Sequence, residues 1–342
     1  MTPALVLVGY GHVGRRFVRL LDESREALDR LGIHPRIVAV STRRHGAVVD
    51  LAGLDAARID AALADVAPAS PSSVAFLDEV LGRLRAHRDV TPVVVEVTTL
   101  DIESGEPAIA HVRTALANGA DVISANKGPV AFAYRALLAA AQAAGRSFLF
   151  EGAVMDGIPV FNLVRETMPA VVIRGFRGVV NSTTNEILTA LERGEPFAAA
   201  LARMQEAGIA EADPSHDVEG WDAAAKAAAL ANVLLDADVT PHDVVREGVG
   251  SDAGERARAA RAQGRRLKLV ATGRGHGAEV SVRVQLEELA ADDPLAILDG
   301  PANAIEFDTW PLGRVVMTQR DGGLEITAYA LLADLVSVCR YD

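Results

Sequence analysis

Residues suited to chemistry gather in two stretches of this 342-residue chain. Near the amino terminus, Gly9-Tyr10-Gly11-His12-Val13-Gly14 fits G-x-G-x-x-G. The first glycine permits a tight turn and the second lets the backbone approach a pyrophosphate. The third lets helix and strand pack closely, and the helix N-terminus faces the phosphates. Gly9, Gly11, His12, Val13 and Gly14 are therefore expected to bind a dinucleotide; the plain alternative is a glycine turn in an unrelated α/β protein. Far downstream, Glu211 to Asp222 holds five carboxylates in twelve positions. Asp222 opens a very apolar helix and Lys226 lies one turn on, so the two share a face. A lysine held against carboxylates suits proton transfer or substrate anchoring, although an exposed helix ion pair has the same spacing. His216 lies among these acids without a second histidine or cysteine at ligand spacing, which argues against transition-metal catalysis.

Two further sites depend on the ends of apolar runs. The run Arg36 to Val40 continues into Ser41-Thr42-Arg43-Arg44. An acid there would hold a ribose 2′-hydroxyl, as in NAD. Two arginines instead favour the 2′-phosphate of NADP, with surface arginines on a loop as the alternative. Asn126-Lys127 follows the run ending at Ser124. A lysine at the carboxyl end of a parallel strand points into the ligand crevice, but an exposed loop lysine fits equally well.

These residues need a scaffold, and the hydrophobic pattern supplies one. Ala4 to Val8 reads as a buried strand, Arg15 to Leu31 as a helix, and Arg36 to Val40 as a second strand. Helical spacing covers Val48 to Asp65 and Val74 to His87. Strands follow at Pro92–Thr98, Asp121–Ser124 and Ser147–Phe150, with helices at His111–Asn118 and Tyr134–Ala144 between them. This alternation predicts a Rossmann-type doubly wound parallel sheet. After Glu151 the alternation ceases. Strand character at Val171–Val180, Val280–Leu286, Ala304–Phe307 and Arg314–Met317, with helices at Asn185–Glu192, Phe197–Ala207 and Asp222–Asp236, predicts an α+β second domain. Gly254 to Arg266 reads as a solvated basic helix or loop, and Thr327–Val338 as a final apolar helix.

Composition sets the limits. Hydrophobic residues are 50% and charged residues 23%, which excludes a disordered or fibrous chain. The net charge of −12 argues against nucleic acid and anionic membrane as partners. The single cysteine, Cys339, excludes an internal disulfide and points to a reducing, cytoplasmic setting. No apolar run reaches the ~20 residues of a membrane span, and no signal-type start precedes the first strand.

Over nearly its whole length the chain resembles homoserine dehydrogenases. The resemblance rests on the glycine motif, Ser124-Ala125-Asn126-Lys127, the Glu151–Pro159 stretch, Asn181 to Leu188, and above all Ala210 to Lys226. It implies that Lys127 and Lys226 are catalytic lysines, that Asp222 orients Lys226, and that Glu211, Asp217 and Thr183 serve the amino-acid substrate. Thr98, Lys127 and Gly323 join Arg43 and Arg44 as expected cofactor contacts. Glu151, Val154, Asp156 and Ile158 match the family's monovalent-cation site for Na+ or K+. Its architecture implies a nucleotide domain at 1–150, a substrate-binding, catalytic and dimerisation domain at 151–310, and a segment at 311–342 returning to the nucleotide domain. The chain departs from the usual pattern at Ser182 (usually glycine), Glu186 (usually tyrosine), Val154 to Gly157, and the 319–324 stretch.

The expected activity is NAD(P)-dependent interconversion of L-aspartate 4-semialdehyde and L-homoserine, with NADP as the expected cofactor and NAD as the alternative. A family dehydrogenase for another small hydroxy or oxo acid, and a non-catalytic nucleotide-binding regulator, are the competing readings. A homodimer through the second domain is expected, because its apolar strand runs need cover.

Overall fold

The run Pro3–Val8 forms a strand, β1, buried at every position, as a central parallel strand covered on both faces must be. The computed structural model describes residues 2–65, 72–87, 90–206 and 215–341. From β1 the chain passes through α1 (His12–Glu23) and α2 (Arg25–Arg30) to β2 (Arg36–Thr42), β3 (Gly46–Val49), α3 (Ala56–Ala62) and α4 (Ser73–Leu84). It continues through β4 (Thr91–Glu96), α5 (Ala108–Ala117), β5 (Asp121–Ser124) and α6 (Gly128–Ala144) to β6 (Phe148–Leu149). The strand order is β3-β2-β1-β4-β5-β6, with every pair parallel except β2 and β3. Strand order reverses beside β1, so the carboxyl ends of β1, β2 and β4 border the crevice where a doubly wound sheet binds its ligand.

A second sheet lies in a second unit. After α7 (Val160–Asn162) come β7 (Val172–Val179), α8 (Ser182–Glu192), α9 (Phe197–Glu206), α10 (Ser215–Val218) and α11 (Trp221–Leu234). Then follow β8 (Val245–Arg246), α12 (Ala253–Ala262), β9 (Arg265–Arg274), β10 (Ser281–Ala290), β11 (Asn303–Trp310) and β12 (Gly313–Gln319). This sheet runs β12-β11-β7-β9-β10-β8 and is antiparallel except for the short β8–β10 pair. Alanine dominates α11, and seven of its alanines are buried. Small side chains let α11 approach β9 and β10 closely, and alanine has the best helix propensity.

The last helix, α13 (Leu324–Tyr341), belongs to the first unit. Its Ala328, Leu331, Leu332 and Leu335 join Phe17, Val18 and Leu21 of α1 in the core beneath β1. Each fully buried leucine or phenylalanine there contributes about 1.5–3 kcal/mol.

The units are Met1–Pro129 with Ala133–Pro159 and Leu324–Asp342, and Val130–Phe132 with Val160–Gly323. The limits expected at 150 and 310 therefore shift. The second unit keeps β12, because Asn303–Thr309 of β11 pairs with it, and only Leu324 onward returns. Three element readings also change. Val48 and Val49 lie in a strand, since Ala39 and Val40 need partners along the edge of β2; the helix expected there begins only at Ala56, capped by Asp55 accepting from the Arg58 amide. The helix expected over 15–31 breaks at Ser24 into α1 and α2. β9 was not expected, because Arg265, Arg266 and Lys268 disguise its apolar alternation. No helix among the described residues is long and apolar enough to cross a membrane.

Candidate active site

The nucleotide unit builds its site largely from backbone. Gly9 has a φ of +99°, and a Cβ there would lie 2.6 Å from the Val97 carbonyl oxygen. A Cβ on Gly14 would lie 3.1 Å from the Gly9 oxygen, so this glycine sets the close approach of α1 to the turn. Gly11 differs: a Cβ would meet no atom of the described residues within 4 Å. Packing gives no reason for glycine at this position; room for a ligand against the backbone does. Gly11 is also the N-cap of α1 and makes no side-chain cap, which leaves the first N–H groups of α1, from His12 and Val13 onward, available to an anion.

A cleft of about 670 Å³ opens at this point, lined by Gly9, Gly11, Arg43, Arg44 and Thr98 among others. Arg15 also lines it, its guanidinium 4.7 Å from the centre of the Tyr10 ring. Burial, with Asp60 nearby, pushes the Tyr10 hydroxyl up to about 12. Thr98 is held from two sides. Its hydroxyl donates to the Glu96 carboxylate, and Asn126 Nδ2 donates to its carbonyl at 3.1 Å. The Asn126 Oδ1 in turn accepts from the Gly128 amide at 2.8 Å. Lys127 stands between those two residues as the N-cap of α6, so its backbone is fixed by a network that also fixes Thr98. Lys127 is not among the residues lining the cleft. Gly323 belongs to the second unit, likewise outside the lining set. Turn, open backbone, helix N-terminus and arginines together fit a dinucleotide.

The second unit builds its site from side chains. Lys226 Nζ lies 3.0 Å from Asp222 Oδ2 and donates to the Val180 carbonyl at 2.8 Å. Both side chains are mostly buried, at 12% and 16% exposure, so this is not the exposed ion pair that the spacing alone also allowed. Asn181 joins the cluster together. Its Nδ2 donates to Asp217 at 2.8 Å and to Asp222 at 2.7 Å, while its Oδ1 accepts from the Thr184 amide at 2.7 Å and caps α8. Thr183, in the first turn of α8, is buried beside this hub. Glu211 lies outside the described residues.

The loop entering α11 is braced from β8. Arg246 stacks its guanidinium 3.8 Å from the centre of the Trp221 ring and donates to the Glu219 carbonyl. The Val249 amide donates to the Val218 carbonyl at 2.7 Å. Gly220 has a φ of +81°, and a Cβ there would press on the Glu247 oxygen at 2.9 Å. Asp217 and Asp222 thus flank a turn with little freedom.

Glu151 is buried, and its amide donates to Asp334 of α13 at 2.8 Å. Val154 is extended. Met155 and Asp156 both have left-handed backbones, with φ of 57° and 55°. The Ile158 amide closes the turn on the Met155 carbonyl at 3.1 Å.

Sequence reading overlooked Asn181 as the hub and the Val180 carbonyl as a lysine acceptor. The one available signal was Asn181 preceding a helix, where its residue type favours capping; its two carboxylate partners, 36 and 41 residues away, leave no local trace.

A doubly wound sheet with this glycine turn, joined in one chain to a lysine–carboxylate cluster, defines a nicotinamide-dependent oxidoreductase. Residues 9–151 match the family model for the NAD-binding domain of homoserine dehydrogenase, and residues 159–336 match that for homoserine dehydrogenase. An NAD(+)-dependent homoserine dehydrogenase of Pseudomonas canavaninivorans is 36% identical over 98% of this chain and 95% of its own. The homoserine dehydrogenase of Methanocaldococcus jannaschii is 33% identical over 98% of each chain. The crystal structure of a homoserine dehydrogenase from Thiobacillus denitrificans superposes with a TM-score of 0.82 at 30% identity, over 99% of this chain and 74% of that one. The chain belongs to the homoserine dehydrogenase family, oxidoreductases that act on a CH–OH group.

Proposed function

We propose that this chain interconverts L-aspartate 4-semialdehyde and L-homoserine, using NADP or NAD. The observation that carries the reading is the half-buried Lys226–Asp222–Asn181–Asp217 cluster. A bound nicotinamide would supply the redox chemistry, exchanging a hydride with the substrate carbon that is CH–OH in one direction and C=O in the other. The chain's part is to bind, orient and move a proton. Asp222 and the Val180 carbonyl hold Nζ of Lys226 in one place. An ammonium so placed stabilises the developing alkoxide, and a lysine, Lys226 or Lys127, gives or takes the proton on that oxygen. Thr183, Asp217 and Glu211 are the proposed contacts to the amino acid. Gly9, Gly11, His12, Val13, Gly14, Arg43, Arg44, Thr98, Lys127 and Gly323 are the proposed contacts to the cofactor.

The two arginines and the lack of an acid after β2 support NADP as the preferred form. The turn at Glu151, Val154, Asp156 and Ile158 is the proposed seat of a monovalent cation, Na+ or K+; replacing either by a large organic cation in the assay should lower activity. The setting is a reducing, cytoplasmic one.

The defining experiment follows oxidation of NADPH with aspartate semialdehyde, repeated with NADH, and the reverse reaction with homoserine. Turnover of another alcohol in clear preference to homoserine would overturn the substrate. Binding of NADPH without oxidation of any alcohol would favour a regulator.

A homodimer through the second unit is part of this proposal. Val172, Trp310, Leu312 and Val316 are large, exposed and gathered on β7, β11, β12 and the turn between the last two. Such an edge needs cover, and a two-fold interface of about 2,000 Å² would supply it. Light scattering at low concentration should give a dimer; a fully active species of 36.0 kDa would refute it.

A further inference from the structure

A polar chain runs from the interior of the nucleotide unit to the cleft, and the proposed function leaves it unused. Glu96, the last residue of β4, is fully buried. One carboxylate oxygen accepts from Thr98 and lies 3.2 Å from Nδ1 of His111; the other has no hydrogen-bond partner among the described residues. His111 is itself 1% exposed, and its Nε2 lies 2.6 Å from the Ser73 hydroxyl. Ser73 and His111 line the same cleft as Gly11, Arg43, Arg44 and Thr98.

The donors can be assigned from the chemistry. A carboxylate only accepts, so Nδ1 of His111 carries the hydrogen. Nε2 of the neutral ring then accepts from the Ser73 hydroxyl. With its hydrogen turned inward, Ser73 Oγ keeps lone pairs for a ligand, and it can serve only as an acceptor. The Glu96 charge polarises the chain and strengthens that acceptor. A chain of this kind is suited to a ligand that donates a hydrogen bond.

We propose that Glu96, His111 and Ser73 form a relayed carboxylate that accepts a hydrogen bond from the adenosine ribose hydroxyl of the dinucleotide, replacing the acid absent after β2. The inference rests on reading this cleft as the cofactor site. Ser73 is the contact; His111 and Glu96 are positioning residues acting through it. The arginines serve a 2′-phosphate and Ser73 serves a hydroxyl, so one cleft takes both forms of the cofactor. Glu96 is held from the opposite side by Thr98, which is why its own substitution needs a control that acts only through Ser73.

The test is dinucleotide binding to the full chain, read by quenching or calorimetry, with NADH and NADPH as separate arms. Ser73→Ala should raise the Kd for NADH about tenfold, the weight of one charge-assisted hydrogen bond, and that for NADPH less than threefold. Ser73→Thr should restore NADH binding. Glu96→Gln should weaken NADH selectively, and Ser73→Ala with Glu96→Gln should lose no more than Ser73→Ala alone, because coupled residues are not additive. Equal losses for both cofactors, additive losses in the double variant, or no loss would overturn the relay while leaving the cleft's assignment intact. Failure of the unaltered chain to bind either dinucleotide would overturn both.

Discussion

The two units make their sites in opposite ways. In the nucleotide unit the centre of the site is backbone amides and open space, held by Gly9, Gly11 and Gly14 within six consecutive residues, with Arg43, Arg44 and Thr98 at its edge. In the second unit they are side chains and a carbonyl drawn from Val180, Asn181, Asp217, Asp222 and Lys226. Backbone chemistry needs only a local turn followed by a helix. Side-chain chemistry needs a fold that brings distant segments together, and α8 and α11 provide it by presenting their N-termini to one cluster. A change in the first site should therefore be felt as lost affinity, and a change in the second as lost turnover.

The sharpest way to break this contrast is Lys226→Ala. It should lower kcat by about 10³-fold or more, in the range of a lost acid–base group, with the Kd for the dinucleotide changed less than twofold. Lost cofactor affinity with turnover preserved would reverse the roles assigned to the two units. Asn181→Ala comes next. It removes the donor shared by two carboxylates and a helix cap, so kcat/KM should drop about 10²-fold through misplacement, with about 1 kcal/mol of stability lost from the cap. Steady-state kinetics and a denaturant titration separate the two effects.

A smaller effect is expected in the nucleotide cleft. Arg43→Ala with Arg44→Ala should weaken NADPH about tenfold more than NADH, while kcat at saturation is unchanged. Equal losses, or none, would return both residues to the loop surface. Improved NADPH turnover would mean that an arginine holds the 2′-phosphate unproductively.

The smallest effect concerns stability alone. Lys268 on β9 is fully buried, donating to Asn185 Oδ1 at 2.8 Å and to the Leu298 carbonyl. Burial first, and then Arg266, push its ammonium down to about 8. Between about pH 8 and the ordinary lysine value the unfolded chain binds more protons than the folded one, so stability attributable to this group rises with pH across that window. Lys268→Met should flatten that rise relative to the unaltered chain, as read from melts at pH 7.5, 8.5 and 9.5. An identical slope in both proteins would show that Lys268 keeps its ordinary titration.

Some elements were legible because their cause is local. Ala4 to Val8 is apolar without interruption, and a run of this kind ahead of a glycine turn has few other uses; it became β1 with Val8 beside Glu96 in register. Asp222 and Lys226 share a helix face wherever that helix goes. Other elements were illegible because their cause is a neighbour. Val48 and Val49 have spacing suited to a helix, and the edge of β2 makes them a strand. Lys268 interrupts an apolar pattern, yet β9 carries it inward because Asn185 and Leu298 accept its hydrogens.

By itself, the sequence determined the dinucleotide turn, the lysine one turn beyond Asp222 and the alternation of the first sheet, since each depends on residues within a few positions of one another. Only the tertiary structure decided that Asn181 links Asp217 to Asp222, that Glu96 reaches the cleft through His111 and Ser73, and that β12 stays with the second sheet. The reason is physical: a hydrogen bond between residues 36 or 41 positions apart leaves no periodicity in the chain, and exists only once the strands and helices that carry its two ends have packed.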